Sequence, residues 1–233
     1  MINRPSGVAA IANLVRSFRR PKPAPVAAAV IVAHPDDEVL WAGGEILSHS
    51  DWNWYILALC RGNDPDRAPR FWRALNRLNA MGYIADLNDG QEQGALSAEE
   101  VERTILAGLP EVRFDLIMTH SPRGEYTQHR RHEEVSQAVI RLWCSGRVST
   151  KALMLFAYED GDQNHLPHAH PNAHVRIPLP KRLWKLKYQA ITEVYGFEPA
   201  SWEARTTPRE EGFWRFDSPP SLEQWMMEQG IEA

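Results

Sequence analysis

The chain has little cysteine, no long hydrophobic run and no excess of positive charge. Its two cysteines, Cys60 and Cys144, stand in no Cys-x-x-Cys spacing and are too few for a disulfide framework, so we expect buried thiols in a reducing compartment. The longest apolar run, Val26–Ala33, is far shorter than the roughly 20 residues that a membrane-spanning helix needs. A formal net charge of -4 gives no reason to expect nucleic acid as a partner. We therefore predict a cytoplasmic protein without a transmembrane segment, whose oligomeric state the sequence does not indicate.

Residues 1–25 read as an N-terminal arm, separated from the rest by Pro21, Pro23 and Pro25. Basic residues before the apolar run resemble the start of a signal peptide. However, His34-Pro35-Asp36-Asp37 stands where a cleavage site should be, so we reject that interpretation. Within the arm, the apolar spacing of Val8–Phe18 indicates a short amphipathic helix, for which we favour packing on the domain over lying on a membrane surface.

After the arm, short apolar runs alternate with helical patterns. The runs that we interpret as buried strands are Val26–Ala33, Trp54–Leu59, Tyr83–Leu87, Phe114–Thr119 and Ala152–Tyr158. The segments with helical spacing are Glu38–Ser48, Arg70–Met81, Ser97–Leu106, Glu133–Trp143 and Lys181–Val194. This alternation predicts a Rossmann-like three-layer α/β fold with a mostly parallel sheet. We expect one domain over 26–233, with a core at 26–160 and a histidine-rich loop and C-terminal helical extension at 161–233 packed on it.

Two predicted strands run directly into histidines and acids. His34 and Asp37 follow the first strand, and His129 and His132 follow the fourth. Because ligands of parallel sheets sit beyond the carboxyl ends of the strands, these residues are expected to share one crevice. A catalytic zinc site needs three histidine or carboxylate ligands, for which we predict His34, Asp37 and His132. Asp36 would then be free to act as a general base.

Each motif also has a simpler interpretation. Pro35 and the acids after it could merely begin a helix, and His129 and His132 alone would more often be solvated histidines. Their joint placement after two strands of one sheet favours a metal site. In such a site His129 could stabilise an oxyanion or protonate a leaving amine.

Three segments resemble those of one enzyme family. They are Ala33-His34-Pro35-Asp36-Asp37-Glu38, Gly124-Glu125-Tyr126-x-x-His129-x-x-His132 and Leu59-Cys60-Arg61-Gly62-Asn63. They are similar to the motifs of the PIG-L/LmbE-like zinc-dependent N-acetylglucosaminyl deacetylases. The resemblance implies a Rossmann-like fold and a zinc ion bound by His34, Asp37 and His132. It also implies that Asp36 is the general base and that His129 assists at the oxyanion or the leaving group. It also implies substrate contacts from Arg70, Asp89 and Tyr126, and an amino-sugar conjugate as substrate.

The sequence departs from the family pattern between the two later histidines, where it has Arg130-Arg131 in place of the common Pro-Asp. The added positive charge suggests a substrate that carries phosphate or carboxylate. A second group of histidines lies in a proline-broken loop and comprises His165, His168, His170 and His174. For these we favour a mobile flap over the pocket rather than a second metal site.

Three functions remain open at this point. The first is N-deacetylation of an N-acetylglucosamine-type conjugate. The second is hydrolysis of a thiol-sugar or an antibiotic-like N-acyl glycan by the same machinery. The third is a non-catalytic sugar- or nucleotide-binding module, which is disfavoured because the first strand lacks Gly-x-Gly-x-x-Gly and the predicted ligands are all present. The ligand types suit zinc, iron or another divalent ion.

Overall fold

The computed structural model describes residues 25–90, 94–126 and 129–231. The helix predicted at Val8–Phe18 and nearly all of the predicted arm at 1–25 lie outside these residues. Within the described part of the chain, no helix has the length and apolar character needed to cross a bilayer.

A seven-stranded sheet forms the middle layer. Its five parallel strands are β1 (Ala27–Val32), β2 (Asn53–Cys60), β3 (Met81–Leu87), β4 (Phe114–Thr119) and β5 (Thr150–Phe156). They lie in the order β3-β2-β1-β4-β5. Strands β2 and β3 are added on one side of β1, and β4 and β5 are added on the other side of β1. Such a reversal of direction in the sheet opens a crevice beyond the carboxyl ends of the two central strands.

Helices cover both faces of the sheet. They are α1 (Asp37–Ser48), α2 (Arg67–Leu78), α3 (Ala98–Gly108), α4 (Arg130–Cys144), α5 (Lys181–Gln189), which continues into a π-helical turn (Ala190–Val194), α6 (Trp202–Thr206) and α7 (Pro219–Gln229). Alternate residues of β1 enter two separate apolar clusters, Ala28 and Val30 on the face of α1 and α2, and Ala29 and Ile31 on the face of α3 and α4. The predicted three-layer α/β fold is confirmed.

The C-terminal segment differs from the predicted helical extension because it also adds strands to the sheet. Strand β8 (Val175–Pro178) and strand β9 (Glu210–Phe216) extend the sheet beyond β5, with antiparallel pairing. Along the chain, β5 is followed by a separate two-stranded hairpin of β6 (Tyr158–Glu159) and β7 (His168–Ala169), which precedes β8. Strands β6, β7 and β8 have only two to four residues each, too few to show a two-residue period.

The second helix is shifted relative to its prediction. It was expected at Arg70–Met81 but begins at Arg67, whose backbone amide is bonded by the Asp64 carboxylate (2.9 Å). It ends at Leu78 because Asn79 adopts a left-handed conformation (φ 54°), which stops the helix. Met81 consequently begins β3.

Candidate metal centre

The turn between β1 and α1 is strained and tightly held. Asp36 has a φ of 118°, a conformation that costs a non-glycine residue about 1–3 kcal/mol. Its amide donates to Glu38 Oε2 (3.0 Å), and the other oxygen of Glu38 accepts from the Tyr195 hydroxyl (2.5 Å). Glu38 is fully buried, and burial raises its pKa to about 7. This buried contact holds the turn that presents His34 and Asp37 at the crevice.

Three predicted ligands meet in a nearly equilateral triangle. His34 Nδ1, Asp37 Oδ2 and His132 Nε2 are separated by 3.3 Å along each of the three edges. Tetrahedral zinc with bonds of about 2.0–2.1 Å requires its donor atoms to lie about 3.3–3.4 Å apart. The donor atoms therefore already have the spacing of three corners of a zinc tetrahedron.

Outer hydrogen bonds turn the lone pairs of both imidazoles toward this triangle. His132 Nδ1 donates to Glu125 (2.7 Å), and His34 Nε2 donates to Asp89 (3.2 Å). In the neutral tautomers that these partners select, the inner nitrogens are acceptors, as is Asp37. Three acceptors at 3.3 Å repel one another unless a proton or a cation lies between them. This arrangement suits a divalent ion.

Glu125 binds two buried histidines at once, and sequence analysis gave it no role. One oxygen of Glu125 accepts from His132 and from His120 Nδ1 (3.1 Å), and the other accepts from the Ser121 amide (2.8 Å). Burial would raise the pKa of Glu125, but the two imidazoles lower it to about 2. His120 Nε2 accepts from the Ala33 amide (2.9 Å), which ties the end of β4 to the end of β1. The only sequence signal for His120 was its position directly after a strand.

Asp36 lies beside the triangle and outside it. Burial, followed by the charge of Asp37, raises the pKa of Asp36 well above its usual range. Arg67 opposes this shift, since its Nη1 donates to Asp36 Oδ2 (3.0 Å) while its guanidinium stacks over Phe197 at 4.6 Å. A carboxylate with a raised pKa binds a proton more tightly than an ordinary carboxylate, which suits a proton acceptor at the edge of a metal site.

His129 packs against the two imidazoles of the triangle. Its ring stacks on His132 with centroids 4.4 Å apart and meets the edge of His34 at 4.9 Å. Burial and the neighbouring imidazoles lower the pKa of His129 to about 4, so it is neutral at pH 7. Its Nδ1 atom is buried and lacks a hydrogen-bond partner among the described residues.

A pocket of about 210 Å³ opens onto these groups. Its walls include His34, Asp36 and Asp37 of the first motif, and also His129. On one side an aromatic wall is formed by Tyr126 and Trp202, whose rings lie 4.7 Å apart. His132 lies beneath the pocket floor with 1% of its surface exposed.

Of the three predicted substrate contacts, Asp89 and Tyr126 line the pocket and Arg70 does not. Arg70 is directed away from the pocket, because it bonds Asp66 (2.7 Å) and the carbonyl of Tyr195 (2.5 Å). One turn earlier, Arg67 occupies the pocket wall instead. Asp89 does line the pocket, but its carboxylate binds His34 and Arg61. Tyr126 also lies in the pocket wall, and its contact with substrate stays a prediction.

Arg131, one of the two arginines of the second motif, is not available to bind an anionic substrate. Its guanidinium is 1% exposed and bonds Glu134 (2.5 Å), the Asn88 carbonyl (2.7 Å) and the Gly94 carbonyl (3.0 Å). It therefore holds the segment after β3 against α4. Among the described residues, the pocket wall contains none of the four histidines of the second group, His165, His168, His170 and His174.

Part of the chain matches a known protein family. Residues 29–143 match the model of the PIG-L family, described as GlcNAc-PI de-N-acetylase. An uncharacterised protein of Acanthamoeba polyphaga mimivirus is 22% identical over 124 residues, which cover 46% of this chain and 54% of that relative. The chain thus spans about half the length of the curated relative that it matches.

Solved structures share the fold at low identity. The N,N'-diacetylchitobiose deacetylase from Pyrococcus horikoshii is 18% identical, with a TM-score of 0.62 over 82% of this chain and 84% of that one. A triple mutant of a deacetylase of teicoplanin biosynthesis is 16% identical, with a TM-score of 0.61 over 83% and 99%. The 4-carboxy-2-hydroxymuconate hydratase from Pseudomonas putida is 15% identical, with a TM-score of 0.55 over 82% and 95%. Since the fold carries both deacetylases and a hydratase, the reaction must be argued from the site.

Proposed function

Residues 29–143 of this chain belong to the PIG-L family, and from that premise we propose that the protein is a metal-dependent N-deacetylase. Its proposed substrate is the N-acetyl amide of an N-acetylglucosamine-type sugar conjugate. The observation that carries the proposal is the triangle of His34 Nδ1, Asp37 Oδ2 and His132 Nε2, each 3.3 Å from the others, with Asp36 beside it. Family and site point to the same chemistry.

The residues present fit a zinc ion, with His34, Asp37 and His132 as its protein ligands. When bound there, a divalent ion supplies Lewis-acid activation of a water nucleophile. Glu125 and Asp89 hold the two imidazoles in the required tautomers. Two nitrogen donors and one oxygen donor also suit iron and other divalent ions, which the experiment below compares with zinc.

Asp36 is proposed as the general base. Its carboxylate lies in the pocket wall next to the triangle, where it can accept the proton that the attacking water loses. Arg67 fixes one of its oxygens, so the carboxylate has a defined direction during proton transfer. The Glu38–Tyr195 contact holds the strained backbone that places Asp36 there.

His129 is proposed to act on the other side of the scissile amide. As a neutral imidazole it can donate one N–H to the carbonyl oxygen as negative charge develops there; to protonate the departing amine, the ring would first have to receive the proton that Asp36 takes from the water.

The aromatic wall supports a sugar as substrate. The rings of Tyr126 and Trp202 line one side of the pocket, and 37% of Trp202 is exposed. Aromatic rings pack well against the apolar C–H face of a pyranose, while Asp89 and Glu203 offer acceptors for its hydroxyls.

Acetate release tests the proposal. Metal-stripped protein should not release acetate from a panel of N-acetylglucosaminyl conjugates, and one equivalent of zinc or iron should restore the release. Asp36→Asn should bind the metal yet lose at least 100-fold in kcat, in keeping with the 10²–10⁴-fold contribution of a general base. Turnover that survives both chelation and Asp36→Asn contradicts the mechanism.

The same panel separates the alternatives. Some related structures are deacetylases of teicoplanin and of the A40926 pseudoaglycone, so N-acyl glycans with longer acids belong in the panel. Release of a longer acid in preference to acetate favours that second function. Sugar binding without release of any acid, in metal-loaded protein, favours a non-catalytic module.

A further inference from the structure

A second group of side chains of the types that ligate metals lies on the β6–β7 hairpin. Glu159 and His168 are direct cross-strand partners in this hairpin, and the connecting loop brings His165 beside them. All three lie outside residues 29–143, which carry the family match, and none lines the pocket of the metal centre.

The carboxylate of Glu159 is shared between the two imidazoles. Its Oε1 lies 2.9 Å from His168 Nε2, and its Oε2 lies 3.6 Å from His165 Nε2. The two rings stack with centroids 4.6 Å apart at an angle of 15°. One donor atom from each residue lies within 4.8 Å of the others.

Backbone carbonyls fix both histidines in the tautomer of a metal ligand. His165 Nδ1 donates to the Leu166 carbonyl (3.1 Å), and His168 Nδ1 donates to the Ala169 carbonyl (3.1 Å). The neutral rings therefore turn their Nε2 lone pairs toward a carboxylate, which is also an acceptor. Histidines that ligate metals almost always donate their other nitrogen in this way. Either a second proton or a metal ion must lie between these acceptors.

The loop is shaped so that the His165 ring can reach this place. Gly161 has a positive φ of 58°, and a Cβ atom there would lie 2.6 Å from His165 Nε2. Its amide also donates to Glu159 Oε2 (2.9 Å), which orients the carboxylate. Glycine at this position thus serves both the turn and the approach of the imidazole.

We propose that Glu159, His165 and His168 form a second binding site for a divalent transition metal ion, with zinc as the best match. Two imidazole nitrogens and one carboxylate oxygen are the ligand types of zinc. Tetrahedral coordination needs donor separations of about 3.3 Å, so binding draws the imidazoles together. Both imidazoles are partly exposed and can rotate to close around the ion.

A metal ion at this site would order one wall of a neighbouring groove. This groove of about 780 Å³ is lined by Glu159 and Gly161 and also by Tyr126, which lies in the wall of the pocket as well. The ion would join the two ends of the loop at 160–167 across the hairpin. The inference does not depend on the proposed deacetylation.

Metal counting on the full chain tests the proposal. The protein is stripped with a chelator, equilibrated with buffered free zinc and analysed for zinc per chain. We expect two ions for the wild type and one each for His168→Ala and Glu159→Gln. His34→Ala, which removes a ligand of the first centre, should also retain one, and the double variant His34→Ala/His168→Ala none.

An exposed histidine of the same segment provides the control. His174→Ala should keep two ions, because His174 lies on the backbone of Arg215 and outside the cluster. A second readout is protease cleavage within 160–167, which zinc should slow in His34→Ala but leave unchanged in His34→Ala/His168→Ala. A wild-type count of one, or a count of two in His168→Ala, overturns the proposal and leaves a proton between these groups.

Discussion

Replacing Glu125 with Gln should weaken metal binding without touching a ligand. Glu125 accepts hydrogen bonds from His132 (2.7 Å), His120 (3.1 Å) and the Ser121 amide (2.8 Å). Glutamine has a single acceptor oxygen. Whichever way its amide turns, the NH₂ group faces at least one N–H donor in this fully buried place.

The magnitude follows from these contacts. Losing the outer partner of a ligating histidine costs about 10- to 100-fold in metal affinity, which is about 1.4–2.8 kcal/mol. The mismatched donor in the metal-free protein should also lower the free energy of unfolding by about 1–3 kcal/mol. Zinc Kd values from competition with a chromogenic chelator, and urea unfolding of the stripped protein, measure the two effects separately.

Glu102→Gln is the matched control. Glu102 is a glutamate of α3 that pairs with Arg141 (2.8 Å) and Arg147 (2.7 Å), away from the metal centre. It should leave the zinc Kd at the first site unchanged. A Glu125→Gln variant whose Kd lies within twofold of the wild type refutes the claim that Glu125 sets the direction of His132.

Three further predictions concern buried groups. Tyr195→Phe leaves one oxygen of the buried Glu38 without its 2.5 Å partner, so the free energy of unfolding should fall by about 1–3 kcal/mol. The kcat should fall more than the metal occupancy. Equal unfolding midpoints for variant and wild type would contradict this. Lys187→Met breaks a fully buried pair with Glu211 (2.5 Å) and leaves that carboxylate without its cation. Urea unfolding should become easier by about 3–5 kcal/mol, and a variant as stable as wild type argues against the pair. Burial raises the pKa of Cys60 to about 12, so this thiol should resist iodoacetamide in native protein at pH 8 and react in urea-unfolded protein. Peptide mass spectrometry measures the labelling, and rapid labelling of Cys60 in native protein would refute this.

The sequence predicted the fold and the meeting of the motif residues because both follow from local pattern and from the topology of parallel sheets. The apolar runs identified the parallel strands, and the carboxyl ends of β1 and β4 are neighbours in any sheet of this kind. His34, Asp37 and His132 therefore came together although 98 positions separate the two histidines. Their roles as ligands remain a prediction.

The surroundings of the triangle could not be predicted in the same way. Arg67 and Arg70 are three residues apart on one helix face, so the sequence cannot tell which guanidinium reaches the pocket and which binds the Tyr195 carbonyl. The contact between Glu125 and His120 depends on the turn at Gly124, whose φ is 75°. Such contacts are set by backbone conformation, which single residue types do not reveal.

The central claim is that His34, Asp37 and His132 hold one catalytic divalent ion, and anomalous diffraction tests it most directly. Crystals of zinc-loaded His168→Ala, which lacks a ligand of the second proposed site, would be measured at the zinc edge. The account predicts one strong peak about 2.0–2.1 Å from His34 Nδ1, Asp37 Oδ2 and His132 Nε2. A peak bound by His129 in place of Asp37, or no peak beside His132, would contradict it.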